Sequence, residues 1–165
     1  MVLPVKTTDR FFHGLLYLLI AGISLWAGFG LINRGLEVRF IKDYLLFWEV
    51  SLNTFNAQQG RWPEFTGSNH VAYMNDLTRA MVHLGIQPPA SNTATAFRYR
   101  MDKFGRDAED IFVLCLRDRM VLFGLSEQSM LALDRSVDKH HDLKRGRVSG
   151  RRGKLQGTYI GQWQL

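Results

Sequence analysis

The sequence has only one cysteine, Cys115, among 165 residues, so the chain can form neither an internal disulfide nor a cysteine-based zinc site. It also lacks a phosphate-binding loop, a dinucleotide fingerprint, a G-x-S-x-G elbow and an HExxH motif. Because no set of residues supports catalysis, we predict a protein that is not an enzyme, with no cofactor and no metal. An apolar content of 46% excludes a disordered chain.

Isolated residues with possible chemistry have simpler explanations. Cys115 lies in the apolar run of residues 110–116, which predicts a buried and inert thiol. His140 and His141 are adjacent, and neighbouring side chains at a helix end point apart, so surface histidines are favoured over metal ligands.

Three aspartates recur every four residues, at Asp134, Asp138 and Asp142. This spacing could gather calcium on one helix face. The alternative, which we favour, is a row of solvated carboxylates that pair with Arg135 and Lys139.

No charged side chain occurs in residues 11–33, and residues 14–32 form an apolar run of nineteen. As a helix this run is about 28 Å long, close to the thickness of a bilayer core. We predict a transmembrane helix over residues 11–33; the alternatives are a signal peptide cleaved after Ala27 or Gly28 and a buried core helix. Basic residues flank the run on both sides, so charge does not determine its orientation. Ser24 and Gly28 form a small-xxx-small pair at which a second helix could approach.

Residues 36–58 contain neither proline nor glycine and carry a helical apolar stripe. The stripe consists of Ile41, Tyr44, Leu45, Trp48, Leu52 and Phe55. It predicts an amphipathic helix that continues the membrane helix and ends at Gly60. A kink at residues 33–35 that separates two helices is the alternative.

The remaining residues alternate between helix and strand patterns. Residues 70–84 and 127–137 have helical periodicity, with Ser68 or Asn69 and Ser126 as candidate caps and Gly85 as the end of the first helix. Strands are predicted over residues 93–101, 110–116 and 155–163, with a turn at 117–119, a short apolar piece at 120–123 and a basic, glycine-rich stretch at 145–152. We therefore predict an α+β fold in which a long N-terminal helix packs on a small antiparallel sheet with short helices.

Positive charge is concentrated in residues 135–154, the basic segment. It holds eight basic and two acidic residues, so it carries a charge equal to the +6 of the whole chain. Six of its residues are candidate contacts for phosphates or for an acidic partner: Lys144, Arg145, Arg147, Arg151, Arg152 and Lys154. No aromatic residue follows until Tyr159, which favours a solvated loop, an acidic protein face or lipid headgroups over DNA.

The order of membrane helix, amphipathic helix and α+β head resembles type IV pilins and type II secretion pseudopilins. Residues 10–13 (RFFH), before the apolar run, resemble the family's basic-Gly-Phe-Thr start. Residues 55–63 (FNAQQGRWP) are similar to its Phe-x-x-x-Tyr-Gly-x-x-Pro. Residues 132–138 (ALDRSVD) and 146–148 (GRV) resemble a stretch found in several pilin-like heads.

This resemblance implies a minor pilin or pseudopilin-like component of a filament or secretion machine. Phe11 and Leu16 stand where the family has its cleavage-site glycine and following glutamate, which implies a minor, tip or unprocessed subunit. The implied partners are membrane lipid, other pilin-like subunits and assembly-platform proteins. The implied location is the inner membrane, with a single span and an extracytoplasmic head. A membrane-tethered nucleic-acid binder that uses the basic segment is the alternative function.

The resulting division of the chain has four parts. Residues 1–10 form a cytoplasmic leader-like segment and residues 11–33 a transmembrane helix. Residues 34–60 form an amphipathic extension, and residues 61–165 form the pilin-like head.

Overall fold

The computed structural model describes residues 5–58, 60–139, 142–155 and 157–165, with side chains from residue 10 onward. Its contacts divide the chain into two compact units, with the boundary between Gly35 and Leu36. Helix α1, Val5–Phe40, contains all of the first unit that is described. It continues through residues 33–35, where a break was the alternative. Its apolar side chains between Phe11 and Ile32 are largely exposed.

A π-helical turn, Ile41–Leu45, follows α1 and leads directly into α2, Leu46–Ala57. In this turn the N–H of Leu46 donates to the carbonyl of Ile41, five residues back, so the helix is locally widened. The predicted apolar stripe is confirmed: all six of its residues are buried, and Trp48 and Phe55 have no exposed surface. The π-turn itself was not predicted, because apolar spacing does not distinguish it from a regular turn.

Two glycines lie at the ends of the helices, as predicted. The N–H of Gly60 donates to the carbonyl of Phe55, and a Cβ at Gly60 would lie 2.4 Å from the Phe55 ring. Helix α3, His70–His83, ends in a Schellman motif, in which Gly85 has φ +73° and Ile86 donates to the carbonyl of Met81.

Among the described residues, five strands form one antiparallel sheet in the order β1-β2-β3-β5-β4. They are β1 Arg98–Met101, β2 Glu109–Cys115, β3 Arg119–Ser126, β4 Val148–Arg152 and β5 Thr158–Gln164, with α4, Glu127–Val137, between β3 and β4. The predicted α+β fold, with a long N-terminal helix and a small antiparallel sheet, is confirmed. Ser126 caps α4, as predicted, by accepting a hydrogen bond from the N–H of Ser129.

The strand predictions need three corrections. The first strand begins at Arg98 rather than at residue 93, because Thr93 Oγ1 bonds the carbonyls of Thr95 and Arg98 and holds a turn. The short piece at 120–123 is part of the eight-residue β3, which extends past a bulge at Gly124. Much of the basic, glycine-rich stretch at 145–152 is strand β4, which pairs with β5.

The two faces of the sheet differ. The inner face carries Tyr99, whose ring contacts those of Phe40 and Tyr44, and Gly161, beside Met130 of α4. We call the opposite side the outer face. There, His70 at the start of α3 contacts the rings of Phe112 and Phe123.

Candidate functional site

The exposed apolar surface of α1 is the first candidate for interaction. Among the described residues one helix is long and apolar enough to cross a membrane, and none of its most apolar part is buried. Phe11, Leu18, Trp26 and Leu31 are each at least 68% exposed. Such a surface requires lipid or other proteins around it.

Ser24 and Gly28 lie one helical turn apart on α1, on the same face. Ser24 is exposed, and a Cβ placed at Gly28 would have no neighbour within 4 Å. The pair therefore has room for the close approach of another helix. Its use as a helix–helix contact stays a prediction.

The lysine and arginine side chains of the basic segment are exposed but do not form one cluster. All six candidate contacts have exposed side chains: Lys144, Arg145, Arg147, Arg151, Arg152 and Lys154. Arg151 and Arg152 are consecutive in β4 and therefore point to opposite faces of the sheet. Arg145 forms an exposed ion pair with Asp142, at 3.9 Å between Nε and Oδ2. The segment thus presents positive charge in several directions.

Arg147 is bound to a distant part of the fold. Its guanidinium forms an ion pair with Glu49 of α2 at 2.5 Å and donates to the carbonyl of Gln164 at 3.3 Å. The guanidinium carbon also lies 5.9 Å from the centre of the Trp163 ring. Arg147 therefore connects α2 to the last strand, and a phosphate would have to compete with Glu49 for it.

The loop before β4 is organised by Asp138. Its two carboxylate oxygens accept hydrogen bonds from the N–H groups of Arg147 at 3.0 Å and Val148 at 2.8 Å. Gly146 has φ +111°, and a Cβ there would lie 2.4 Å from Asp138 Oδ2. The aspartate and the Gly-Arg-Val sequence, which the resemblance treats as one stretch, thus form one structural unit.

The prediction of three solvated aspartates is wrong for Asp134, which is completely buried, because its helix face packs into the head. Asp138 accepts hydrogen bonds from two backbone N–H groups, as described above. Asp142 is exposed, caps the N–H of Lys144 and pairs with Arg145 rather than with the predicted partners. The three carboxylates therefore have three different environments.

Other candidate ligands fall into two groups. Cys115 is buried, as predicted, and burial raises the pKa of its thiol well above the usual range. His140 and His141 lie outside the described residues. Within the ranges that the structure describes, no group of three or more His, Cys, Asp or Glu residues is placed to hold a metal ion.

Sequence reasoning missed a largely buried ionic network. Lys103 Nζ donates to Glu37 Oε1 at 2.6 Å and lies 4.0 Å from Glu109 Oε1, and its side chain is only 6% exposed. Glu109 in turn accepts hydrogen bonds from the N–H of Ser126 and the hydroxyl of Ser129 at the start of α4. Sequence spacing gives no signal for this network, because its members come from three distant segments.

The comparisons with known proteins give no relative. No family model, no curated protein and no solved structure matches the chain.

Proposed function

We propose that the chain is a minor pilin or pseudopilin-like structural component of a type IV filament or a type II secretion-type machine. It sits in the inner membrane through one span, with the head outside the cytoplasm. The observation that carries this proposal is the order of the first two helices: α1 has an exposed apolar stretch, and α2 supplies core residues to an α+β head.

A second apolar surface on α2 supports a role in assembly. Leu46, Phe47 and Val50 are 39%, 58% and 62% exposed, while Trp48 and Leu52 on the same helix are fully buried. The helix is therefore apolar on its core side and also on part of its outer side. In an assembly, the exposed side would pack against a neighbouring subunit.

Insertion in the membrane is tested by alkaline carbonate washing of membranes that contain the full-length chain. We expect the protein to stay in the membrane pellet, because the apolar stretch of α1 spans the bilayer. Release into the supernatant would contradict the proposal. The intact mass of the extracted protein then decides whether a leader segment has been removed.

Assembly is tested by cross-linking through an introduced cysteine. The native Cys115 is buried, so Phe47→Cys supplies one accessible thiol on the exposed side of α2. With a maleimide–benzophenone reagent attached to this thiol and irradiated in native membranes, we expect a cross-linked species that contains a second subunit. The matched control is Arg79→Cys, on the exposed part of α3, which should remain monomeric. Equal behaviour of the two variants would contradict the assembly role.

The basic segment supports the nucleic-acid alternative less than the positive charge of the segment suggests. Arg147 is occupied by Glu49, Arg145 pairs with Asp142, and Arg151 and Arg152 face opposite ways. No single phosphate track can use them all.

A further inference from the structure

One continuous row of side chains crosses the outer face of the sheet. The strand registers pair Arg98 with Phe112, Phe112 with Phe123, Phe123 with Ile160, and Ile160 with Arg151. Directly paired residues of antiparallel strands point to the same side. The row therefore consists of two aromatic rings and an isoleucine with an arginine at each end.

The aromatic part of the row is accessible from outside. Phe112 and Phe123 are partly exposed, and their ring centres are 6.1 Å apart. Together with His70, Val71 and Arg98 they line an open cavity of about 310 Å³. Its lining is mainly apolar, which suits a flat ring that lies against the phenylalanines.

The charged ends of the row give the face its polarity. Arg98 and Arg151 are exposed, and within the described ranges neither forms an ion pair with a carboxylate. Arg98 instead lies over the Phe112 ring, with 5.9 Å between the guanidinium carbon and the ring centre. Four strand spacings separate the strands of the two arginines, which is roughly 19 Å.

We propose that the outer face binds single-stranded nucleic acid across the row. Bases stack on the exposed parts of the Phe112 and Phe123 rings. Arg98 leaves the Phe112 ring to pair with one phosphate, and Arg151 pairs with another. Proteins bind single-stranded nucleic acid through flat aromatic rings and nearby positive charges. Every base has a face that can stack on a ring, and every phosphodiester linkage carries a negative charge. An uncharged apolar partner would leave both arginines without a counter-charge. This site does not depend on the proposed assembly role or on the charges of residues 142–147.

The test is fluorescence anisotropy with the full-length chain in detergent micelles and a fluorescein-labelled fifteen-nucleotide oligothymidylate. We expect saturable binding at low salt. Phe123→Leu keeps an apolar side chain but removes the ring, and should weaken binding about 5- to 100-fold. Arg98→Gln combined with Arg151→Gln should reduce the slope of log K against log salt by about 1.4, since each single-strand phosphate contact contributes roughly 0.7.

The matched controls remove the same kinds of side chain, two arginines and one phenylalanine, at positions outside the row. Arg106→Gln with Arg145→Gln removes two exposed charges outside the row, and Phe104→Leu removes an exposed ring. Neither control should change binding by more than about twofold, and thermal melts should show every variant folded. Absence of binding at 50 mM salt overturns the proposal, as does equal weakening by the controls. If the row variants instead abolish self-association without any oligonucleotide binding, the face is a contact between copies and the proposal fails.

Discussion

Asp138 binds the backbone of Val148, ten residues further along the chain, with a distance of 2.8 Å between Oδ2 and the amide nitrogen. This bond closes the loop that separates α4 from the edge strand β4. The second oxygen of the same carboxylate accepts from the N–H of Arg147 at 3.0 Å. One side chain therefore holds the backbone at the start of β4.

Asp138→Ala should lower stability by about 1–3 kcal/mol, because two backbone N–H groups lose a charged acceptor. The measurement is thermal unfolding of the full-length chain in detergent, followed by circular dichroism. Asp76→Ala is the control, since that carboxylate forms an exposed ion pair with Arg79 and its removal should change little. Equal melting temperatures for the two variants would show that the loop is held by other contacts.

Lys103→Met should destabilise the head by about 3–5 kcal/mol, because Glu37 and Glu109 would be left in a largely buried site without their cation. The double variant Lys103→Met with Glu37→Gln should recover part of this loss, since one carboxylate is removed as well. Urea unfolding of the two variants and of exposed Lys42→Met measures the difference. If Lys103→Met is as stable against urea as Lys42→Met, the network does not contribute to the stability of the head.

Trp48→Ala and Phe47→Ala form a matched pair of neighbouring aromatic truncations on α2. Trp48 has no exposed surface, so its loss leaves a cavity and should cost about 3–5 kcal/mol. Phe47 is 58% exposed, and its truncation should change the stability of the isolated chain by less than about 1 kcal/mol. Calorimetric melting temperatures give the comparison, and a similar decrease for both would mean that the exposed side of α2 is also covered.

Cys115 should make stability depend on alkaline pH. Burial raises the pKa of the folded thiol, whereas the unfolded thiol has a pKa of about 8.5. Unfolding therefore releases a proton above that pH, and stability falls by up to about 1.4 kcal/mol for each further pH unit. Urea unfolding between pH 7.5 and 10 should show a smaller decline for Cys115→Ala than for the native chain. If the stability of both chains falls equally with pH, the alkaline loss of stability comes from other groups. Examples are the buried phenols of Tyr44 and Tyr73, whose pKa values are also raised by burial.

Apolar periodicity was sufficient to predict the helices and their buried faces. The stripe on α2 and the glycine after α3 depend on local spacing and backbone conformation, which the sequence shows directly. Strand β4 was missed because its sequence, VSGRR, has one β-branched residue and draws its order from pairing with β5. Local propensity contains no information about that distant partner.

The interaction surfaces could be predicted only in part. Positive charge in residues 135–154 was evident, but the capture of Arg147 by Glu49 joins residues ninety-eight positions apart. The same limit applies to the row from Arg98 to Arg151, which draws one residue from each of five strands. Such groupings follow from strand order, which spacing along the chain does not specify.

Strand β4 lies at the edge of the sheet, and at this position its arginines also affect how the sheet edge meets another chain. An exposed edge offers backbone hydrogen bonds to any extended chain, including β4 of another copy. In such an antiparallel pair, the Arg151 and Arg152 side chains of the two copies would add positive charge to both faces of the joined sheet, and the repulsion between these charges opposes pairing. The carbonyl of Leu143 already occupies the N–H of Gly150. The same arginines therefore protect the head against edge-to-edge aggregation, a protection that weakens as salt screens their charge.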